Sequence, residues 1–485
     1  MTTITLSLVS HTNAGKTTLA RTLLGADIGE VRDAPHVTEF ASMHTLIETP
    51  VGDALRLWDT PGFGDSARLV RRLRSTGNPL GWFLSTVWDR WQDRAFWASQ
   101  QALRHVQDDS DVLLYLVNAA QWPGSAGYVD PEMDLLAWVG KPVLVLLNQM
   151  GAPRAAADEA QDVEIWRLHL LRWPGVRAVL PLDAFARCWV HELTLMRAVV
   201  AALKDALDGD RSSAMVRLAD AWQARRETTF EAAMHVLAAS LARTATAREP
   251  LPVDSGWGER LRRLGAALGQ GSASEADPAT AAQARLATAL ENEVRSSTAQ
   301  LLALHGLNGN VGNEIIGRVG LQFARHDRVP EGRAAVLGGA LAGALTGLKA
   351  DILSGGLTLG GGLLAGGVLG ALGAAGVARG INVVRGTGQS WVAWRDEALD
   401  GAAQAALLRY LAVAHFGRGR GDWSPGESPP HWPVAVAQAL ARQRAAWTAA
   451  WAGRSQRLNG ADDTAARVAS LQLLLTQAAR EVLAA

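Results

Sequence analysis

The sequence predicts an α/β domain built on a mostly parallel sheet with helices on both faces, followed by a large all-α region that contains a glycine-rich helical hairpin. Three observations carry this. Short β-rich runs alternate with helical patterns up to about residue 205, strand signals then give way to long Ala- and Leu-rich periodicity, and residues 334–378 turn almost uniformly small and apolar. The changes divide the chain into segments 1–205, 206–332, 333–385 and 386–485.

The strand runs are TITLSLV, HTLIETPV, ALRLWDT, VLLYLVNAA, KPVLVLLN and VRAVLPLDAF. They are short and apolar and alternate with helical patterns, the rhythm of a parallel sheet with helices on its faces. Beyond about Leu195 the spacing becomes helical, as in Met215, Leu218 and Trp222 and then Phe230, Met234, Leu237 and Leu241. LGQGSASEADPA at 268–279 reads as a loop, and GLNGNVGNE and RVPEG punctuate a boundary between 306 and 332. In the hydrophobic segment, Gly339, Gly343 and Gly347, and then Gly362, Gly366 and Gly370, recur every fourth residue, so one helical face is nearly bare backbone and permits close helix contact.

With 485 residues the chain exceeds what one core supports, and two or three domains are expected. Its single cysteine, Cys188, rules out a disulfide framework, and the apolar run Ile4 to Val9 has no basic leader, so a reducing cytoplasm is the expected setting. A formal net charge of zero argues against a strong electrostatic grip on nucleic acid or anionic lipid. Lys16, Lys141, Lys204 and Lys349 are the only lysines in an arginine-rich chain. Lysine at position 16 therefore runs against the local habit.

SHTNAGKT, Ser10 to Thr17, follows the first strand and opens a helix. A phosphate loop needs inward N–H groups, a lysine for the outer phosphates and a hydroxyl for magnesium, all at the positive end of a helix. Gly15 supplies the tight turn, Lys16 the cation and Thr17 the hydroxyl, while Ser10 stands where the first glycine is usual, at a position that demands a tight exit from the strand. LWDTPG at 57–62 adds Asp59 to hold magnesium and the Gly62 N–H to sense a γ-phosphate. The two motifs in this order predict a nucleotide-binding domain.

Through NAGKTTL and WDTPGFGDS the chain resembles the translation-factor-like small GTPases, in particular the Era and tRNA-modification GTPase group. It is similar also to a bacterial GTPase family with a long C-terminal domain of unknown function, through NPLGWFLSTVWDRW, VLLYLVNA and LDAFARCWVHE. The first resemblance covers roughly the first 190 residues and the second the whole chain. They imply GTP or GDP with Mg2+, and a potassium ion near Asn13 in cation-dependent members. They also imply that Thr38, in APHVTEF, closes on magnesium and γ-phosphate as the first switch threonine; a surface threonine before a strand is the alternative. Asn13 as a simple turn residue is the alternative to a potassium ligand. The resulting assignments are Lys16, Thr38 and Gly62 as catalytic groups, with Asn13, Ala14, Gly15, Lys16, Thr17, Thr18, Asn148 and Asp183 around the nucleotide. Thr17, Thr38 and Asp59 are the magnesium set.

Two departures from the family pattern bear on mechanism. Phe63 stands where many GTPases carry a glutamine that orients water, so intrinsic hydrolysis is expected to be slow, with Asp65, a dimer partner through the G domain or a monovalent cation as substitutes. Asn148, Gln149, Met150 and Gly151 keep only the asparagine of the usual Asn-Lys-X-Asp, so the lysine stem and the base-specifying carboxylate are absent. Asp183, in PLDAFA, either replaces that carboxylate or caps a helix.

Trp82, Trp88, Trp91 and Trp97 are read as core aromatics or as a nucleotide-sensitive partner surface. His11, His105 and the His191–Glu192 pair show no metal-ligand spacing. Segment 333–385, flanked by Arg333, Arg379 and Arg385 and interrupted by Lys349 and Asp351, is either a hairpin touching the inner membrane from the cytoplasm or a tightly packed soluble hairpin. Three functions follow: a nucleotide switch driving the helical region, a nearly inert nucleotide-binding scaffold, or a ribosome- or tRNA-maturation GTPase. No basic, aromatic-rich module supports nucleic acid as a partner.

Overall fold

In the computed structural model the described residues are 1–12, 14–25, 42–64, 66–74, 94–150, 156–182, 189–204, 209–251, 278–307, 381–385, 390–415, 431–452 and 461–484. They fall into two compact units, Met1–Thr228 with Ala414–Pro430, and Thr229–Val413 with His431–Ala485.

The first unit is organised by a six-stranded sheet. Its strands are β1 (Thr3–Ser10), β2 (Ser42–Glu48), β3 (Ala54–Asp59), β4 (Val112–Asn118), β5 (Val143–Asn148) and β6 (Val176–Pro181), in the order β2-β3-β1-β4-β5-β6. Only β2 runs antiparallel, as an edge strand on β3. All six expected strand runs are therefore strands, and the mostly parallel sheet is observed. Helices α1 (Lys16–Leu24), α2 (Ser66–Leu73), α3 (Arg94–Asp109), α4 (Val129–Val139), α5 (Ala156–Leu170) and α6 (Trp189–Leu203) fill the connections.

Period-two alternation sends the strand side chains into two cores. Ile4, Leu6, Leu8, Leu114, Leu116, Leu144 and Leu146 pack with Leu19 and Leu23 of α1 and with Leu195, Met196 and Val199 of α6. On the other face Val9, Leu113, Tyr115, Val117, Val145 and Leu147 pack with residues of α2 to α5, including Leu103, Met133 and Trp166. Both faces of the sheet are covered, which is why its strands read as continuous apolar runs.

A long helix, α7 (Gly209–Thr246), begins in the first unit. Met215, Leu218 and Trp222 join the first core. Glu192 of α6, itself buried, accepts from Trp222 Nε1 at 3.0 Å and from Arg226 Nε at 2.7 Å. Arg217 binds Asp53 and Arg211 binds Asp111. Arg225 donates to the Leu46 carbonyl at 3.3 Å, at the point where β2 shifts register against β3. The first stretch of the compact unit thus runs to Thr228, inside α7, whereas the strand pattern ends near 205.

The second unit is mainly helical, as expected. It contains the remainder of α7, α8 (Pro278–Leu304), α9 (Asp396–Ala414, to Val413), α10 (Trp432–Arg442), α11 (Arg444–Trp451) and α12 (Ala461–Ala484). The all-α expectation needs one correction. β7 (Arg248–Leu251), β8 (Ile381–Arg385) and β9 (Ser390–Trp394) form a three-stranded antiparallel sheet in the order β7-β9-β8. Residues 381–385, which the pattern assigned to the end of the helical hairpin, are therefore strand. Phe230 meets Tyr410 edge-on at 5.7 Å, and buried Arg409 donates to the Val294 carbonyl, Ser297 Oγ and Thr298 Oγ1 at 2.8–3.0 Å. Burial pulls its guanidinium down to about 10. The glycine ladders lie outside the described residues; among the described helices none is long and apolar enough to cross a membrane.

Trp222→Ala empties a fully buried site and removes one of the donors to Glu192, which keeps Arg226. Stability is expected to fall by about 3–5 kcal/mol in urea unfolding followed by circular dichroism.

Candidate functional site

The carboxyl ends of β1, β3 and β5 lie on one edge of the sheet and deliver Ser10, Asp59 and Asn148 to a common crevice. Gly15 caps α1 in the left-handed region, with φ 93° and ψ 24°. A Cβ there would lie 2.7 Å from Asn148 Nδ2, so the position is closed to side chains both by conformation and by space. The Asn148 amide is buried and donates from Nδ2 to the Ala14 carbonyl at 2.8 Å. Asn148 thereby holds the phosphate loop in place from the far strand. Gln149, which follows, has φ 58°, the only non-glycine positive φ among the described residues.

Lys16, at the start of α1, is 7% exposed. Its Nζ donates to Ser10 Oγ at 2.9 Å, and Ser10 Oγ donates to the His11 carbonyl at 2.5 Å. Serine in place of the usual glycine is thus more than tolerated; it supplies a buried acceptor for the ammonium. Burial pulls the Lys16 pKa down, and Asp59 and Glu132 nearby pull it partly back up.

Thr17 Oγ1 donates to Asp59 Oδ2 at 2.6 Å. Burial pushes the Asp59 carboxyl up, opposed by the Thr17 hydrogen bond and by the charge of Lys16. Asp59 Oδ1 is buried and has no hydrogen-bond partner among the described residues. A hydroxyl joined to a carboxylate whose second oxygen is orphaned fits a hard divalent cation completed by phosphate and water oxygens. Thr17 and Asp59 are the residues that would hold it.

Gly62 approaches this group closely. A Cβ on it would sit 2.9 Å from Thr12 Cα and 3.1 Å from Lys16 Nζ. Thr60 Oγ1 donates to the Leu8 carbonyl at 2.5 Å and the Phe63 N–H to the Ser10 carbonyl at 2.9 Å, tying this loop to β1. Phe63 is 1% exposed and belongs to the core on that face. Thr18 is buried within α1. The structure therefore brings together Ala14, Gly15, Lys16, Thr17, Thr18, Asp59, Gly62 and Asn148. Asn13, Thr38, Asp65, Asp183, Cys188, Trp82, Trp88 and Trp91 lie outside the described residues.

Sequence reasoning missed Glu132. It is fully buried on α4, where Oε1 accepts from His11 Nδ1 at 2.8 Å and from Ser66 Oγ at 3.3 Å, and Oε2 from Tyr115 OH at 2.8 Å. His11 stacks on Tyr128 with 4.6 Å between ring centroids. Its partner lies 121 residues away, so no local pattern reveals the pair. His105, at 3.0 Å from Asp109, and Glu192 serve helix packing.

Residues 5–149 match the family model described as 50S ribosome-binding GTPase. This segment is a domain of the GTPase type. A solved structure of Era in complex with MgGDPNP and nucleotides of 16S ribosomal RNA is 16% identical to the chain, with a TM-score of 0.31, and the match covers 41% of this chain and 56% of that one. Era of Aquifex aeolicus bound to GDP.AlF4- is 17% identical, with a TM-score of 0.30 and the same coverage. The bacterial selenocysteine-specific elongation factor EF-Sec is 15% identical, with a TM-score of 0.26, over 43% of this chain and 30% of that one. The chain thus spans just over half the length of the Era structures it matches. Among curated proteins none matches it.

Ser10→Ala removes the acceptor that holds Lys16 in the free protein. The nucleotide-free form is expected to lose about 1.5–3 kcal/mol, read as a lower Tm, with magnesium–nucleotide affinity no weaker than before. In the free protein the Lys16 ammonium gives up its proton below the ordinary lysine range, and polyphosphate binding needs that proton. Nucleotide affinity should therefore fall as pH rises through the lowered pKa, and Lys16→Arg should remove this alkaline limb from a titration of affinity against pH.

Proposed function

We propose that the chain is a GTP-binding protein and a slow, magnesium-dependent GTPase. In this reading its nucleotide state acts as a switch for the helical region. One observation carries it: a buried ammonium, a hydroxyl–carboxylate pair with an orphaned oxygen, and two glycines with no room for a side chain converge at the N-terminus of α1.

Each group has a distinct part in this reading. The Gly15 turn leaves the first N–H groups of α1 facing the phosphates, where the helix dipole favours negative charge. Lys16 exchanges Ser10 Oγ for the outer phosphate oxygens, and Gly62, whose backbone closely approaches Lys16 Nζ, offers its N–H to the γ-phosphate. Thr17 and Asp59 would hold a magnesium ion, which would supply neutralisation of the charge that builds on the phosphates. Thr38 completes the shell in the triphosphate state. Phe63 lies in the core and has no group to orient water, which supports slow turnover. The family model supports guanine as the base, whereas Asn148 spends Nδ2 on the phosphate loop and Gly151 supplies no carboxylate. Asp183 is the proposed replacement.

We place the protein in the cytoplasm, with the run 334–378 as its membrane-facing element; its length, and the presence of only Lys349 and Asp351 as charged residues within it, support this. The scaffold reading draws on the same Phe63. A ribosome-directed role draws only on the description of the matching family model.

Single-turnover assays with GTP and ATP, in potassium and in sodium, test these readings. Magnesium-dependent GTP hydrolysis, slow and faster in potassium, is the expected result, with Lys16→Ala abolishing binding. Binding without turnover above buffer favours the scaffold, and equal use of ATP removes the guanine assignment. Recovery of the chain in salt-washed membranes supports the membrane-facing segment, and recovery wholly in the soluble pool refutes it.

A further inference from the structure

We propose that Glu132 is a positioning residue that fastens Ser66, at the start of α2, to the phosphate loop, so that both respond to a γ-phosphate as one body. The inference rests on the GTPase reading above. It goes beyond that reading by assigning γ-phosphate recognition to a residue in neither motif.

The carboxylate is 0% exposed, yet its two oxygens face three donors from three parts of the fold. Oε2 takes Tyr115 OH from the middle of β4. Oε1 is shared by His11, in the phosphate loop, and Ser66, the first residue of α2, four residues past Gly62 of the Asp-Thr-Pro-Gly loop. One oxygen thus joins the two segments that must move together when a third phosphate arrives. The backbone supports the same junction, since His11 and Phe63 form an isolated parallel bridge and the Phe63 N–H binds the Ser10 carbonyl. Gly62 lies between these fixed points and beside Lys16 Nζ.

A carboxylate buried this fully is costly unless all its hydrogen bonds are made. An apolar side chain would fill the space between α4 and the sheet without that demand. What an apolar side chain cannot do is bind two loops at one atom. The Ser66 bond, at 3.3 Å, is the longest of the three and connects to the segment following the γ-phosphate sensor. The stacked ring of His11 is held by Tyr128 on its face and by Glu132 at its edge, so the phosphate-loop end of the junction is fixed and the Ser66 end is the adjustable one.

The test is the ratio of affinities for a non-hydrolysable GTP analogue and GDP, measured with magnesium on the full chain. Glu132→Gln keeps volume but turns one oxygen into a donor facing donors, and is expected to lower the analogue-to-GDP preference about tenfold while GDP affinity changes by no more than about twofold. Ser66→Ala removes only the loop-side donor and is expected to lower the ratio about threefold. Tyr115→Phe removes only the core-side donor and is expected to lower the Tm without moving the ratio. Should Glu132→Gln fail to fold, Ser66→Ala and Tyr115→Phe carry the comparison alone. An unchanged ratio in Ser66→Ala, or an equal change in Tyr115→Phe, overturns the inference while leaving the GTPase reading intact. Failure of the unsubstituted chain to bind either nucleotide overturns that reading itself, and the inference with it.

Discussion

The structure of the N-terminal unit turns on burying an ammonium group and a carboxylate close together at the edge of a parallel sheet. Lys16 and Asp59 are both almost withdrawn from water, and burial pushes each toward its neutral form. Opposing this are the Thr17 hydrogen bond and the Lys16 charge for the aspartate, and the charges of Asp59 and Glu132 for the lysine, whose Nζ also donates to Ser10 Oγ. A site of this kind keeps unspent electrostatic capacity for a ligand that brings phosphate oxygens and a metal. The orphaned Asp59 oxygen is the visible sign of that reserve. The glycines around it follow from the same constraint, because any Cβ at 15 or 62 would collide with the groups that create the site.

The surrounding elements keep this edge rigid. The two cores clamp β1 and β4 from both faces, and Thr60 and Phe63 sew the loop after β3 to the end of β1. Asn148 reaches across from β5 to hold the Ala14 carbonyl. α7 covers the other side through Trp222, with Arg225 on the carbonyl of the irregular Leu46 in β2 and Arg226 on Glu192. The helix continues without a break into the second unit.

In the second unit a small antiparallel sheet escaped detection for a local reason. Its strands are only four or five residues long, and β7 reads Arg-Glu-Pro-Leu, with a proline that suits an edge position but weakens any strand signal. Its pairing joins residues near 250 to residues near 390, a separation no sequence window spans. Arg409 is a comparable case. It lies in a helix rich in alanine and leucine and is buried against hydroxyls and a carbonyl of α8, partners more than 100 residues away in sequence.

By itself the sequence determined the alternation of strands and helices, the phosphate loop at Ser10 to Thr17, the Asp-Thr-Pro-Gly turn and the helical character of the later chain. These depend on residue type and near-neighbour spacing, and such chemistry is written locally. Only the tertiary structure decided that Ser10 serves Lys16, that Asn148 braces Ala14, and that His11 and Ser66 meet at Glu132. Those contacts join residues from different strands and loops. Their energy comes from satisfying buried polar groups, a demand that arises only once the sheet and its helices have excluded water from between them.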